Sequence, residues 1–318
     1  MKQAACLAAM LAIIPAASVH AAAFPEKPVT IIVPYSAGGI TDQIGRILAN
    51  KLGQTWKQPV VVENKPGAGA AIGTAAVANG KADGYQLLIG SVGMVTNQFM
   101  LKSLPYKPED LEPLLQISEA PNVLYARSSL PVTSVSELVE YARKNPGKLT
   151  FANAGIGSSP HLAAALFQDK AKISATDVPY RGTSAAIADF LGGQVDAYFD
   201  TMQSMPYVRQ GKLTVLGVAA QKRVPSHPEV PTMAESGIPD VLAGSWFGVF
   251  IPAKTPETIK AEISRAIADA MQDSQTRNKI EGLGTVIQVR DRQQFKQFLD
   301  QETQRWGSLI KRLNIAGS

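Results

Sequence analysis

The sequence predicts an α/β protein of layered, mainly parallel strands, on three observations. Short runs rich in Val, Ile and Leu alternate with longer stretches whose apolar residues recur at helical spacing. Twice such a run passes through glycines and hydroxyls straight into a helical pattern, at Pro34-Tyr35-Ser36-Ala37-Gly38-Gly39-Ile40-Thr41-Asp42 and at Asn153-Ala154-Gly155-Ile156-Gly157-Ser158-Ser159-Pro160-His161. Proline-rich punctuation at Pro121 and across 224–231 marks two crossover points. Residues 122–223 then form an inserted domain, and 24–121 plus 224–318 form the other, with two connecting strands as a hinge. A single three-layer domain is the alternative.

Residues 1–21 read as a secretory signal and not as fold. Lys2 supplies the positive start, 4–17 is apolar, and Val19-His20-Ala21 or Ala21-Ala22-Ala23 offers small residues for cleavage. The apolar run is too short to span a bilayer, and no later segment approaches about 18 uninterrupted apolar residues. Strands are expected over 29–33, 59–63, 86–90, 122–126, 149–152, 176–180, 197–200 and 213–220. The helix after the first glycine turn carries Ile40, Ile44, Ile47, Leu48 and Leu52 on one stripe and is expected to stop at Gly53. Another starts at Thr255-Pro256, as N-cap and proline at N1, with Ile259, Ile263, Ile267 and Met271 on one face. An amphipathic run over 295–313, around Trp306, reads as a docked C-terminal helix.

Composition excludes several chemistries. Cys6 is the only cysteine and leaves with the signal, so the mature chain has no disulfide, thiol nucleophile or thiolate metal site. No His/Cys/carboxylate cluster has metal-site spacing, and neither metal nor cofactor is expected. The formal charge of +5 falls by one without Lys2, and the basic residues are scattered, which argues against nucleic acid. A mild positive field favours small anions.

The two glycine turns carry the functional reading. Helix starts bare their first amides and present the positive end of the backbone dipoles, a ready anion site. With hydroxyls expected at the N-caps, two such starts in different halves of the molecule suggest jaws for an organic anion. A third capped start lies at Tyr180-Arg181-Gly182-Thr183-Ser184, with Thr183 or Ser184 as N-cap and Arg181 able to fork onto a carboxylate or pair with Asp177 or Asp200. Asp200 ends a strand near the inferred hinge, where it holds water, caps a helix or meets a ligand ammonium. Trp246-Phe247 is either an aromatic wall of the site or core.

Other motifs resolve into packing. Gly67-Ala68-Gly69-Ala70-Ala71-Ile72-Gly73 mimics a dinucleotide fingerprint, but its spacing is wrong, and no acid follows where a ribose partner belongs. Tight strand–helix packing explains it better. His227 sits in a proline-rich surface turn. His161, in the first turn of the second glycine-loop helix, can donate to a ligand carboxylate, cap its own helix, or pair with Ser158 or Ser159 as a nucleophile's base.

Most of the chain after the signal resembles the solute receptors of tripartite tricarboxylate transporters, or Bug-type periplasmic receptors. The matching pieces, in family order, are FPEKPVTIIVPYSAGGITDQIGRILA, PVVVENKPGAGAAIGTAAVA, ADGYQLLIG, NAGIGSSPHLAAALF, VPYRGTSAAIADFLGGQVDAYFD and HPEVPTMAESGIPDVLAGSWFGVFIPAKTP. Asn153-Ala154 stands where serine-rich variants are common, and Asn97-Gln98 replaces a frequent Asn-Pro.

The resemblance implies a type II periplasmic-binding-protein fold, two α/β lobes hinged by two crossover strands. It also implies no enzymatic activity, a periplasmic location and delivery of a carboxylate to an integral membrane permease. The pincers map to 35–42 and 154–161. Backbone contacts fall to Tyr35, Ser36, Ala37, Gly38, Gly39, Thr41 and Asp42 on one side, and to Ala154, Gly157, Ser158, Ser159 and His161 on the other. Specificity is expected from Tyr35, Ser91, Met94, His161, Thr183 and Asp200, and from Trp246 where it walls the site; Arg181 is a further ligand candidate. A monomer binding a dicarboxylate, an aromatic acid or an acidic amino acid is expected, with the carboxylic acid favoured. The alternatives are a secreted hydrolase using Ser158 or Ser159 with His161, and a protein presenting its ligand to a membrane sensor.

Overall fold

The computed structural model describes residues 24–180 and 182–315; the signal expected at 1–21 and Arg181 lie outside the described residues. The strands are β1 (Val29–Val33), β2 (Val60–Asn64), β3 (Gln86–Gly90), β4 (Leu111–Pro121), β5 (Val123–Arg127), β6 (Thr150–Asn153), β7 (Thr176–Pro179), β8 (Ala197–Asp200), β9 (Leu213–Val218), β10 (Gly244–Pro252) and β11 (Val286–Arg290). They form two sheets, ordered β11-β4-β10-β3-β1-β2 and β7-β6-β8-β5-β9. The helices are α1 (Ile40–Trp56), α2 (Ala71–Ala78), α3 (Gly93–Met100), α4 (Val135–Lys144), α5 (Ser159–Ala171), α6 (Thr183–Leu191), α7 (Met205–Arg209), α8 (Glu257–Ala270), α9 (Ser274–Glu281) and α10 (Arg292–Arg312).

The α/β layering follows the sequence pattern, but the expectation of mainly parallel strands is corrected. Among the described residues, five of nine strand pairings are antiparallel. The long strands β4 and β10 pair antiparallel with each other, and β5 enters the second sheet running against β8. Neither arrangement needs a helical crossover. Parallel order survives where a helix returns the chain, in β2-β1-β3 and β7-β6-β8.

Helix limits also shift. α1 runs through Gly53 to Trp56 and ends on Lys57 in the left-handed region. The N-cap of α8 is Pro256, one residue beyond the expected Thr255, within the usual fraying of helix ends. α10 starts at Arg292 behind a reciprocal Asp291–Gln294 capping box.

The chain passes from the first sheet to the second at Asn122, between β4 and β5. It returns at Ala243: Asn122 N donates to Ala243 O, and Ala219 and Asn122 bond in turn. Val224 and Val230 pack in the second sheet's core beside Tyr125 and Tyr198. We therefore propose a lobe boundary at 243/244 instead of 223/224, because 224–243 packs on the second sheet before the chain leaves it. α10 spans both lobes, since Trp306, Leu309 and Ile310 share a core with Leu162, Leu166 and Phe167 of α5. Arg312 also bonds Asp169 at 2.7 Å. No helix among the described residues is long and apolar enough to cross a membrane.

Candidate functional site

β1 is buried between two parallel neighbours and releases the chain at Pro34 into the first pincer. Gly38 adopts φ +87°, which side-chain-bearing residues rarely do, and Gly39 is the N-cap of α1. The expected hydroxyl N-cap is thus corrected to glycine. The side chain that closes the turn is Asp42, whose Oδ2 accepts from Gly38 N–H at 2.9 Å and from Arg46 Nε at 3.0 Å. Asn64 Nδ2 donates to Asp42 Oδ1 at 2.9 Å and also to Tyr35 O at 3.1 Å. Burial pushes the Asp42 carboxyl up, but these donors outweigh it and hold it below the usual carboxylate range. Both its oxygens are occupied, so Asp42 shapes the loop and turns no free atom to a guest. Ser36, Ala37, Gly38 and Gly39 are exposed, and the first-turn amides of Ile40 and Thr41 have no acceptor within the helix.

Tyr35 reaches sideways. Its hydroxyl meets the Gly93 amide and the Ser91 side chain, and burial raises its pKa to about 12. A second phenol, Tyr106, lies near it, with a buried hydroxyl that has no partner. Met94 goes elsewhere: it folds over Gly90 beside Phe250 and packs with the core. Trp246 is core too, 2% exposed, with ring centroids 5.6 Å from Phe295 and 6.1 Å from Phe250. The Gly67–Gly73 turn packs as expected, because a Cβ on Gly73 would come within 2.7 Å of both Lys65 O and Pro34 Cβ.

The second pincer leaves β6 at Asn153, whose Oδ1 accepts from Gly155 N–H at 3.0 Å. Its Nδ2 is buried without a partner. Gly155 and Gly157 take φ +114° and +79°. Ser158 is the N-cap of α5 by position but does not cap: its Oγ is buried and unbonded. Ser159 Oγ donates to Asn122 Oδ1 at 2.6 Å, and Gly157 N–H donates to His161 Nδ1 at 3.1 Å. Neither hydroxyl is bonded to His161, so the Ser–His pair needed by a hydrolase is not formed. Gly182, not Thr183 or Ser184, caps α6; Thr183 opens that helix beside the Tyr198 phenol. Asp200 is buried, with Ser204 Oγ donating to Oδ2 at 2.5 Å; burial raises its pKa and that hydrogen bond opposes the rise.

Topology puts the two pincers on sheet edges that meet at one crossing of the chain. Both lie beyond the carboxyl ends of parallel strands, the usual ligand edge of such sheets. In the first sheet that edge carries Pro121, which pairs with Gly244 beyond the Gly248–Gly90 pair. In the second it carries Val123, paired with Asp200. The crossing at Asn122 joins the two edges, and a Cβ added at Gly157 would meet Met100 of α3 at 3.2 Å. Asn122, Asn64 and Tyr106 were not singled out from sequence, and Asn153 was named only as the start of the second glycine motif. A polar residue between Pro121 and the apolar start Val123-Leu124 of β5 was the available sign for Asn122.

The model of the tripartite tricarboxylate transporter family receptor matches residues 44–315. The chain belongs to this receptor family. It is 35% identical to protein BugT of Bordetella pertussis over 300 residues, 93% of this chain and 92% of BugT. Rpa4515 of R. palustris, solved with adipate, superposes with TM-score 0.85 at 32% identity, covering 93% of this chain and all of that one. MatC of Rhodopseudomonas palustris, solved with bound malate, gives 0.79 at 32% identity, over 90% of this chain and all of the other. This receptor is a solute-binding protein of the Bug type and not an enzyme. Its two α/β sheets have the periplasmic-binding-protein arrangement.

Proposed function

We propose that this receptor captures a small dicarboxylate between its lobes in the periplasm and hands it, as a monomer, to an integral membrane transporter. The observation that carries the reading is the pair of glycine-built helix starts, α1 and α5, on sheet edges joined by the Asn122 crossing. Secretion through residues 1–21 belongs to the same proposal.

Desolvating a carboxylate costs several kcal/mol. One helix end returns about 0.3–1 kcal/mol, and about 2 at best. Two ends with several charge-assisted hydrogen bonds, about 1.5–3 kcal/mol each, offset that cost. Apolar contacts carry the total toward roughly micromolar binding. Malate and adipate in two relatives favour a dicarboxylate. Asp200 supports the same choice over an acidic amino acid. Its carboxyl is buried and occupied by Ser204, so it offers no ready counter-charge to an ammonium.

A thermal-shift panel of mono-, di- and tricarboxylates, aromatic acids and acidic amino acids tests this. Dicarboxylates are expected to raise Tm by mass action. A response confined to amino acids or aromatic acids contradicts the ligand class, and a blank panel contradicts the carboxylate reading.

A further inference from the structure

We propose that His161 is a positioning residue whose Nδ1 lone pair fixes Gly157, and with it the tip of the second pincer, against Met100 of the opposite lobe. The inference rests on the receptor reading above, but concerns how the site is held and not what it binds.

An amide can only donate, so the bond from Gly157 N–H to Nδ1 at 3.1 Å requires an unprotonated Nδ1. The ring proton is then on Nε2, and geometry alone fixes the tautomer. The held residue is the one that touches the other lobe: a Cβ on Gly157 would lie 3.2 Å from Met100 Cγ and 3.3 Å from Cε. Gly157 also sits at φ +79°, a conformation that needs an outside tie to be the single one populated. Beside it Ile156 is 55% exposed, so apolar packing does not supply that tie.

The charged group acting on the ring is Asp177 of β7, itself bonded by Gln168 of α5; Asn153, Ser158 and Met100 bring no charge. Burial pushes the imidazole below its ordinary value, and Asp177 opposes this. As pH falls through that depressed pKa, protonation places an N–H against the Gly157 N–H and removes the tie. Binding should therefore weaken on acidification. A direct imidazolium–carboxylate contact demands the opposite sign.

The test is malate titration calorimetry from about pH 5 to 8 on wild type, His161→Asn and His161→Leu. Asparagine offers an acceptor near the Nδ1 position that cannot titrate. His161→Asn should bind about tenfold more tightly than His161→Leu, the worth of one retained hydrogen bond. Wild type should show an acid-side loss that His161→Asn lacks; malate's own titration is common to both and cancels. Equal binding by the two variants, or wild-type binding that strengthens on acidification, overturns the proposal. Ring-nitrogen NMR of the ligand-free protein gives a second readout. An Nδ1-acceptor signature with a protected Gly157 amide supports the positioning role even if malate proves the wrong ligand, and a protonated Nδ1 at neutral pH refutes it whatever the ligand.

Discussion

The Ser159 hydroxyl donates to Asn122 Oδ1 at 2.6 Å, tying the first turn of α5 to the residue where the chain passes from one sheet to the other. A helix start on one lobe is thereby registered against the crossing shared by both. Removing the donor leaves a buried amide oxygen unpaired, since Asn122 is 2% exposed. Ser159→Ala should cost about 1–3 kcal/mol of stability, read by urea denaturation, and should weaken dicarboxylate binding as well. An unchanged denaturation midpoint contradicts the registration.

Asp42 makes the first pincer acid-sensitive. Its folded pKa is lowered, so its contribution is complete above the ordinary value of about 3.9 and is lost as pH falls through the depressed one. Asp42→Asn should destabilise the protein at neutral pH and flatten the stability profile below about pH 4. Loss of the bonds from Gly38 and Arg46 puts the cost at about 1.5–3 kcal/mol. Thermal melts across that range check the sign.

Ser158 should behave in the opposite way. Its hydroxyl is buried with no protein partner, so Ser158→Ala should leave stability within about 1 kcal/mol or raise it slightly. If the hydroxyl meets the guest, the same variant binds malate about tenfold more weakly. Calorimetry beside thermal melting separates the two effects.

Gly73→Ala should destabilise by about 1–3 kcal/mol through overpacking, because the added carbon would press on Lys65 O and Pro34. Ligand selectivity should not change, and urea midpoints with the carboxylate panel check both halves.

Local features were legible in the sequence, and long-range partners were not. β1, β3 and β8 fall where the apolar runs put them, and the glycine turns do open α1 and α5, because turn and helix start are written within a few neighbouring residues. β4 carries Glu112, Pro113 and Glu119 among its apolar residues, so neither alternation nor a clean apolar run marks it. β10 carries Trp246, which invited a ligand-wall reading, while its ring packs with Phe295 from α10. In the site, the hydroxyl caps expected on α1 and α6 are glycines: Gly182 takes a positive φ at the cap of α6, and Gly39 caps α1 directly behind Gly38, which takes one. Asp42 finds Asn64, and Ser159 finds Asn122, across separations that no local pattern encodes.

The most direct test of two jaws on one guest is an amide NMR titration with malate, following Ile40 and Thr41 of one lobe together with Ser158 and Ser159 of the other. One guest held by both helix starts moves all four resonances along a single saturation curve with one dissociation constant. Shifts confined to one lobe, or two curves with different constants, contradict the two-jawed account.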